Sequence, residues 1–123
     1  MVNNIQTIGI ILFFIMFIYS GYNKIINFEK KTETLEQKTK LPHEINIIGM
    51  IGVIILEIIG SILIIYYFLY GQLSKGIIKN ILKVYFAFMI IVTFLYHPPT
   101  DKLIPFLSNV TTFGGFLLMY TMV

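Results

Sequence analysis

The apolar run from Ile45 to Gly71 contains a single charged side chain, that of Glu57. A helix over this run would be about 40 Å long, which exceeds the roughly 30 Å hydrocarbon core of a bilayer. Ionisable residues are rare inside such spans because a charge in lipid is costly, and those that occur usually face other helices or mark a functional site. The run therefore predicts a tilted transmembrane helix with Glu57 as its polar centre.

Three further apolar runs are long enough to cross a bilayer, and the last of them is near the lower limit of length. The predicted spans are 5–23, 45–70, 79–96 and 105–123. Short connections between four such helices predict an all-α fold, an integral membrane four-helix antiparallel bundle that forms one transmembrane domain over residues 1–123. A three-span protein whose last segment is re-entrant is the alternative.

Composition supports the membrane assignment and excludes some chemistry. Of the residues, 57% are hydrophobic and 12% are charged, whereas soluble domains carry about 25% charged residues. The chain has no cysteine, so disulfides, thiol redox chemistry and thiolate metal sites are excluded. Residues 1–4 lack the positive charge that begins a signal peptide, so the first span is predicted to remain as a transmembrane helix.

The net charge of +3 comes from lysines in the connections. Lysines at such positions indicate contact with the anionic lipids of the bilayer rather than with nucleic acid. The connection 24–44 mixes lysines and glutamates, and we expect a partly helical loop there. More lysines fall in the first and third connections than in the second, which favours a cytoplasmic position for the long loop.

Small residues predict where helices pack against one another. Gly49, Gly52 and Gly60 share an arc of about 80° on the second predicted helix, and Glu57 lies at its margin. Gly114 and Gly115 leave the fourth predicted helix locally without side chains. Glu57 is therefore expected to point into the bundle, and the glycine faces could also support contact with other membrane proteins or a homo-oligomer.

Several short motifs along the chain resemble the DoxX family of small four-helix membrane proteins. The resemblance depends on their order and spacing over nearly the whole chain, since each is weak alone. This chain lacks the arginine that the family often places early in the first helix, and Ile5-Gln6-Thr7 stand there instead. The motifs are Gly21-Tyr22-Asn23-Lys24 with Phe28, Leu41-Pro42, Leu56-Glu57 with Gly60, and a last helix with Asn109 and paired glycines.

The resemblance implies that Lys24, Glu57, His97 and Asn109 could line a polar intramembrane pocket. It also implies an accessory subunit of a membrane oxidoreductase system linked to quinone, with quinone as the cofactor. The alternative is a non-catalytic scaffold, chaperone or cargo-binding module that binds other membrane proteins. Whether the protein is an enzyme stays open, and no catalytic residue is assigned.

Each candidate residue also has a structural interpretation. Glu57 could transfer a proton to a quinone, hold a substrate amine, or stabilise the bundle through a bond to Lys24, Asn109, Thr93 or Ser61. Lys24 could extend to the membrane interface from a helix end, and His97 could be an interface residue beside Pro98. His43 and His97, with Glu44 and Asp101 beside them, show no ligand spacing that supports a metal site, so none is predicted.

Overall fold

The computed structural model describes residues 4–123, and every regular element among them is a helix. This confirms the predicted all-α class. The prediction that no signal peptide is removed concerns residues 1–4, of which 1–3 lie outside the described residues. The elements are α1 (Asn4–Ile26), α2 (Phe28–Thr39), α3 (His43–Ile55), a π-helical turn (Leu56–Gly60), α4 (Ser61–Tyr70), α5 (Lys75–Tyr96) and α6 (Leu103–Met122).

Four helical stretches are long and apolar enough to cross a bilayer, as the sequence predicts. They begin and end within a few residues of the predicted spans. The second stretch runs through α3, the π-helical turn and α4 without interruption. The stretches are Asn4–Ile26, His43–Tyr70, Lys75–Tyr96 and Leu103–Met122.

The chain divides into two compact units, the first ending at Leu73 and the second spanning Ser74–Val123. In the first unit, α1 packs along α3, the π-helical turn and α4. The buried residues of α1 recur every three or four positions and so form one face of the helix. They are Ile10, Phe14, Phe17 and Gly21. That the whole chain forms a single domain stays a prediction.

The chain bends at Asn27, where α1 gives way to α2. Helical hydrogen bonds continue through the bend, because the Asn27 amide donates to the Asn23 carbonyl at 2.9 Å and the Lys31 amide donates to the Asn27 carbonyl at 2.9 Å. The α2 helix then packs against α3. The predicted loop 24–44 thus contains a three-turn helix, Phe28–Thr39.

The ends of these helices follow from local sequence. Lys40 ends α2 in the left-handed conformation, with φ of 59°, and Pro42 precedes α3 because proline cannot donate to a continuing helix. Gly71 ends α4 with φ of 66°, which glycine adopts without strain. Ser74 caps α5 by accepting a hydrogen bond from the Gly76 amide.

The second unit is an antiparallel hairpin of α5 and α6. Near the connection, the rings of Phe94 and Phe106 lie 6.2 Å apart between centroids. Halfway along, Tyr85 and Phe116 stack at 4.5 Å, and both are fully buried. Towards the other end, the Lys79 ammonium lies 5.4 Å from the centre of the Tyr120 ring. Aromatic pairs and one cation–π contact therefore join the two helices along their length.

Candidate functional site: a buried ion pair in the first unit

Glu57 lies in the π-helical turn that interrupts the second membrane-spanning stretch. The amide of Leu56 is shared between the carbonyls of Gly52 and Val53 as the helix changes its hydrogen-bonding pattern. Such turns are rare, and they occur frequently at functional sites, where they alter the direction of side chains. Here the turn faces α1, and the Glu57 side chain is only 4% exposed.

The Glu57 carboxylate forms an ion pair with Lys24 near the end of α1. The Lys24 Nζ donates to Glu57 Oε1 at 2.8 Å and to Ser20 Oγ at 2.6 Å. The Ser20 hydroxyl lies 3.4 Å from the same Oε1 and also donates to it. Ser20 and Lys24 are four residues apart, so both project from one face of α1. The three side chains thus form a closed network within the first unit.

This network compensates a charge that the bilayer would otherwise disfavour. An isolated carboxylate is costly in an apolar environment, whereas a paired and hydrogen-bonded one is tolerated. Among residues 4–123, every fully buried side-chain nitrogen or oxygen has a hydrogen-bond partner. Glu57 lies near the middle of the second membrane-spanning stretch, His43–Tyr70, whereas Lys24 lies in the last turn of α1 with a side chain that is 20% exposed.

Gly21 allows α1 to approach the π-helical turn closely. A Cβ atom at this position would lie 2.6 Å from Ile58 Cγ1 and 3.3 Å from Glu57 Cβ. The first distance is shorter than any van der Waals contact, so a larger residue would push the helices apart. Gly21 therefore sets the separation at which Lys24 can reach Glu57.

The predicted site residues fall in both units. Lys24 and Glu57 come together in the first unit. In the second, the Asn109 side-chain amide donates to Thr93 Oγ1 at 3.2 Å, which links α6 to α5. His97 is exposed at the end of α5, where its backbone amide donates to the Thr93 carbonyl at 2.9 Å. That these four residues line a single pocket stays a prediction.

The glycines predicted to pack against other helices have different surroundings. Gly60 is buried and Gly115 is half-buried. A Cβ atom at Gly49, Gly52 or Gly114 would have no neighbouring heavy atom within 4 Å. Any close helix contact at Gly49 and Gly52 would therefore need a partner beyond the residues described, and their packing role stays a prediction.

The metal-ligand candidates do not form a cluster. His43 makes an ion pair with Glu36, a contact between α3 and α2. Within residues 4–123, no group of three or more histidine, aspartate or glutamate side chains is close enough together to hold a metal ion.

Sequence reasoning missed two residues that shape the site. Ser20 was not singled out, although its position four residues before Lys24 could have indicated it. Asn46 was also missed, and it is buried where α2 meets α3. Its side chain accepts from Thr39 Oγ1 at 2.7 Å and donates to the carbonyls of Leu41 and Pro42 at 2.9 and 3.0 Å.

The four candidate spans and the buried ion pair define an integral, multi-pass helical membrane protein. Residues 2–102 match the family model described as Methylamine utilisation protein MauE, and the chain belongs to that family. The predicted DoxX membership is therefore wrong. No curated protein and no solved structure matches the chain.

Proposed function

We propose that this protein is an accessory membrane subunit in methylamine utilisation, which binds and holds a partner membrane protein without converting a substrate itself. The family description supports the process. The accessory role is supported by one observation. The carboxylate of Glu57, within the second span, is bound by Lys24 and Ser20 of α1 in the same unit.

The energetics of this pair favour a structural role. Removing one partner of a buried ion pair typically costs about 3–5 kcal/mol. If separating the two side chains costs as much, the open state has a population of roughly one in 200 to one in 5,000. A carboxylate that passes protons to a quinone would have to leave Lys24 in each cycle. Glu57 is therefore suited to fix α1 against the second span.

The outer faces of the helices supply surfaces for a partner. Ile45 and Ile48 are exposed on α3, beside the open backbone at Gly49 and Gly52. In a membrane, helices associate through close packing at small residues, because lipid already satisfies apolar side chains. A partner helix could approach α3 more closely there than at a face covered by large side chains.

Growth on methylamine tests the proposed process. A methylamine-utilising host from which its own MauE-family gene has been deleted would be complemented with the tagged chain. We expect growth on methylamine to be restored, while growth on other nutrients is unaffected. Absence of complementation by a protein that is present in the membrane would contradict the proposal.

Purification from the complemented host tests the accessory role. In mild detergent, we expect a stoichiometric protein partner that is lost from Gly49→Leu/Gly52→Leu and retained by Glu57→Gln. Gly9→Leu is the matched control, because Gly9 is also an open glycine, on α1. A quinone that copurifies with the wild-type chain and is lost in Glu57→Gln would instead show a redox role.

A further inference from the structure

A polar cleft of about 260 Å³ lies where α1 bends into α2. At roughly 30 Å³ for each water molecule, the cleft is large enough for a small anion with part of its hydration shell. Its lining residues are Asn23, Asn27, Lys30, Lys31 and Thr34. They recur along one side of the two helices, which remain hydrogen-bonded through the bend.

The cleft is rich in hydrogen-bond donors and positive charge. Two ammonium groups, two side-chain amides and one hydroxyl line it, and no carboxylate does. Within residues 4–123, neither Lys30 nor Lys31 forms an ion pair. The Asn27 side-chain amide donates to Asn23 Oδ1 at 2.5 Å and to the Asn23 carbonyl at 3.3 Å, whereas the Asn23 side-chain nitrogen donates to no acceptor within residues 4–123.

The acidic residues of α2 lie on another side. Glu29 and Glu33 line a neighbouring cleft, together with Ile26, Phe28, Asn27 and Lys30. Asn27 and Lys30 line both clefts, whereas Asn23, Lys31 and Thr34 line only the cleft that has no carboxylate. Lys31 therefore supplies positive charge that the cleft does not share with Glu29 and Glu33.

The cleft also lies at the end of the first apolar stretch. The first candidate span ends at Ile26, within the stretch that lines the cleft. Lys31 is close enough to Glu57 to interact electrostatically with its carboxylate, which is already paired with Lys24.

We propose that this cleft binds a phosphate group, carried by an anionic phospholipid or by a free phosphate. Lys30 and Lys31 supply the charge, and the Asn23 amide supplies a directed hydrogen bond to a phosphate oxygen. The Thr34 hydroxyl already donates to the Lys30 carbonyl at 3.0 Å, so it borders the cleft without donating into it. In its lipid form, the bound headgroup fixes the bend between the first span and α2 to the bilayer surface.

Titration of the full chain in uncharged detergent tests this proposal, because such micelles present no charged surface. The probes are short-chain phosphatidylglycerol, short-chain phosphatidylcholine and inorganic phosphate. We expect saturable binding of phosphatidylglycerol that is stronger than that of phosphatidylcholine. Lys30→Gln/Lys31→Gln should weaken it about 25-fold, since each lysine near an anionic headgroup contributes about fivefold.

Matched variants separate the cleft from general charge. Lys38→Gln/Lys40→Gln removes the same charge from the same connection but outside the cleft, and should change binding less than about threefold. Lys30→Arg/Lys31→Arg should retain binding. Circular dichroism would verify that each variant keeps its helix content.

The outcomes divide as follows. Saturable binding of inorganic phosphate alone, lost in Lys30→Gln/Lys31→Gln, would support a free phosphate as the ligand. Binding of phosphatidylglycerol alone would support the lipid. Equal loss in the two glutamine variants, or saturable binding of neither anion, would overturn the proposal.

Discussion

Removal of the Lys24 charge should lower the free energy of unfolding more than removal of the Glu57 charge. Lys24→Met leaves a carboxylate that is 4% exposed without its ammonium, and we expect a loss of about 3 kcal/mol in unfolding free energy. Glu57→Gln keeps an acceptor for Lys24 and Ser20 and should cost less. Thermal unfolding in mild detergent, followed by circular dichroism, would measure both.

The double variant Lys24→Met/Glu57→Gln is the informative control. It removes both charges, so we expect it to be more stable than Lys24→Met alone, because no uncompensated charge is left in the hairpin. If the double variant were the least stable of the three, the pair would not act as the structural unit described above.

Gly21 should tolerate no larger side chain. Gly21→Ala places a methyl group 2.6 Å from Ile58 Cγ1, and we expect a loss of about 1–3 kcal/mol from overpacking. Gly9→Ala on the same helix meets no neighbour and should be neutral or stabilising by about 0.5–1 kcal/mol, since alanine favours helix. The same unfolding measurement compares them.

A second substitution tests the cause. Ile58→Ala removes the atom that the new methyl group would contact, so Gly21→Ala/Ile58→Ala should cost less than the sum of the single variants. Strict additivity would mean that the cost arises elsewhere.

Glu57 could be found from sequence because a charge in an apolar run is conspicuous, but its partner could not be chosen. Lys24, Ser61 and Asn109 were all reasonable partners on composition and depth. The choice depends on the rotation of each helix about its axis, which the π-helical turn alters at Glu57. The clash at Gly21 is also a tertiary property, and no local pattern indicates it.

The α2 helix should depend on Asn46 for its attachment to α3. Asn46→Leu removes the bond from Thr39 and the two donations to the carbonyls of Leu41 and Pro42. At about 1 kcal/mol for each net hydrogen bond, partly replaced by water, we expect amide exchange in α2 to accelerate at least about tenfold. Hydrogen exchange with mass spectrometry would measure this over residues 28–39.

Gln37→Leu is the matched control for that experiment. Gln37 is exposed on α2, so the same change of amide to leucine should leave the exchange of α2 nearly unaltered. Acceleration of equal size in both variants would show that α2 is not held by Asn46.

The four spans could be predicted because apolar length and the breaks at Pro42, Gly71 and Pro98 are local properties. The end of α1 was harder to predict, since Asn23 and Lys24 are polar although the helix continues to Ile26. Polarity indicates where a helix leaves the hydrocarbon, whereas hydrogen bonding decides where it ends. The π-helical turn has no such signal in the sequence.

The wrong family assignment has a related cause. Any two neighbouring helices that bury an ion pair need a small residue for close approach and two opposite charges. A glycine near a lysine on one helix, with a glutamate on the next, meets both needs. Gly21, Lys24 and Glu57 fulfil those requirements here. Short motifs of this kind therefore describe how two helices pack, and the match over residues 2–102 carries the family information that they lack.

The path of the chain through the membrane can be tested because the natural sequence has no cysteine. Four spans would place the first and third connections on one side and the second on the other. The first and third also carry more lysines, which favours their cytoplasmic position. The lysines in or beside the first and third connections are Lys24, Lys30, Lys31, Lys38, Lys40 and Lys102, against Lys75, Lys79 and Lys83 in the first turns of α5 beside the second.

Single-cysteine variants would report this path directly. With an impermeant thiol reagent on intact cells, we expect Gln72→Cys to be labelled and Gln37→Cys and Thr100→Cys to be protected. All three should react after the membrane is permeabilised, while Ile48→Cys, on a lipid-exposed helix face, should remain slow. Labelling of Gln37→Cys and Thr100→Cys but not of Gln72→Cys would reverse the orientation, because four spans keep positions 37 and 100 on one side. Opposite results at those two positions would mean that only one of the two predicted spans between them crosses the bilayer. The start of α6 would then lie on the opposite side from the one predicted.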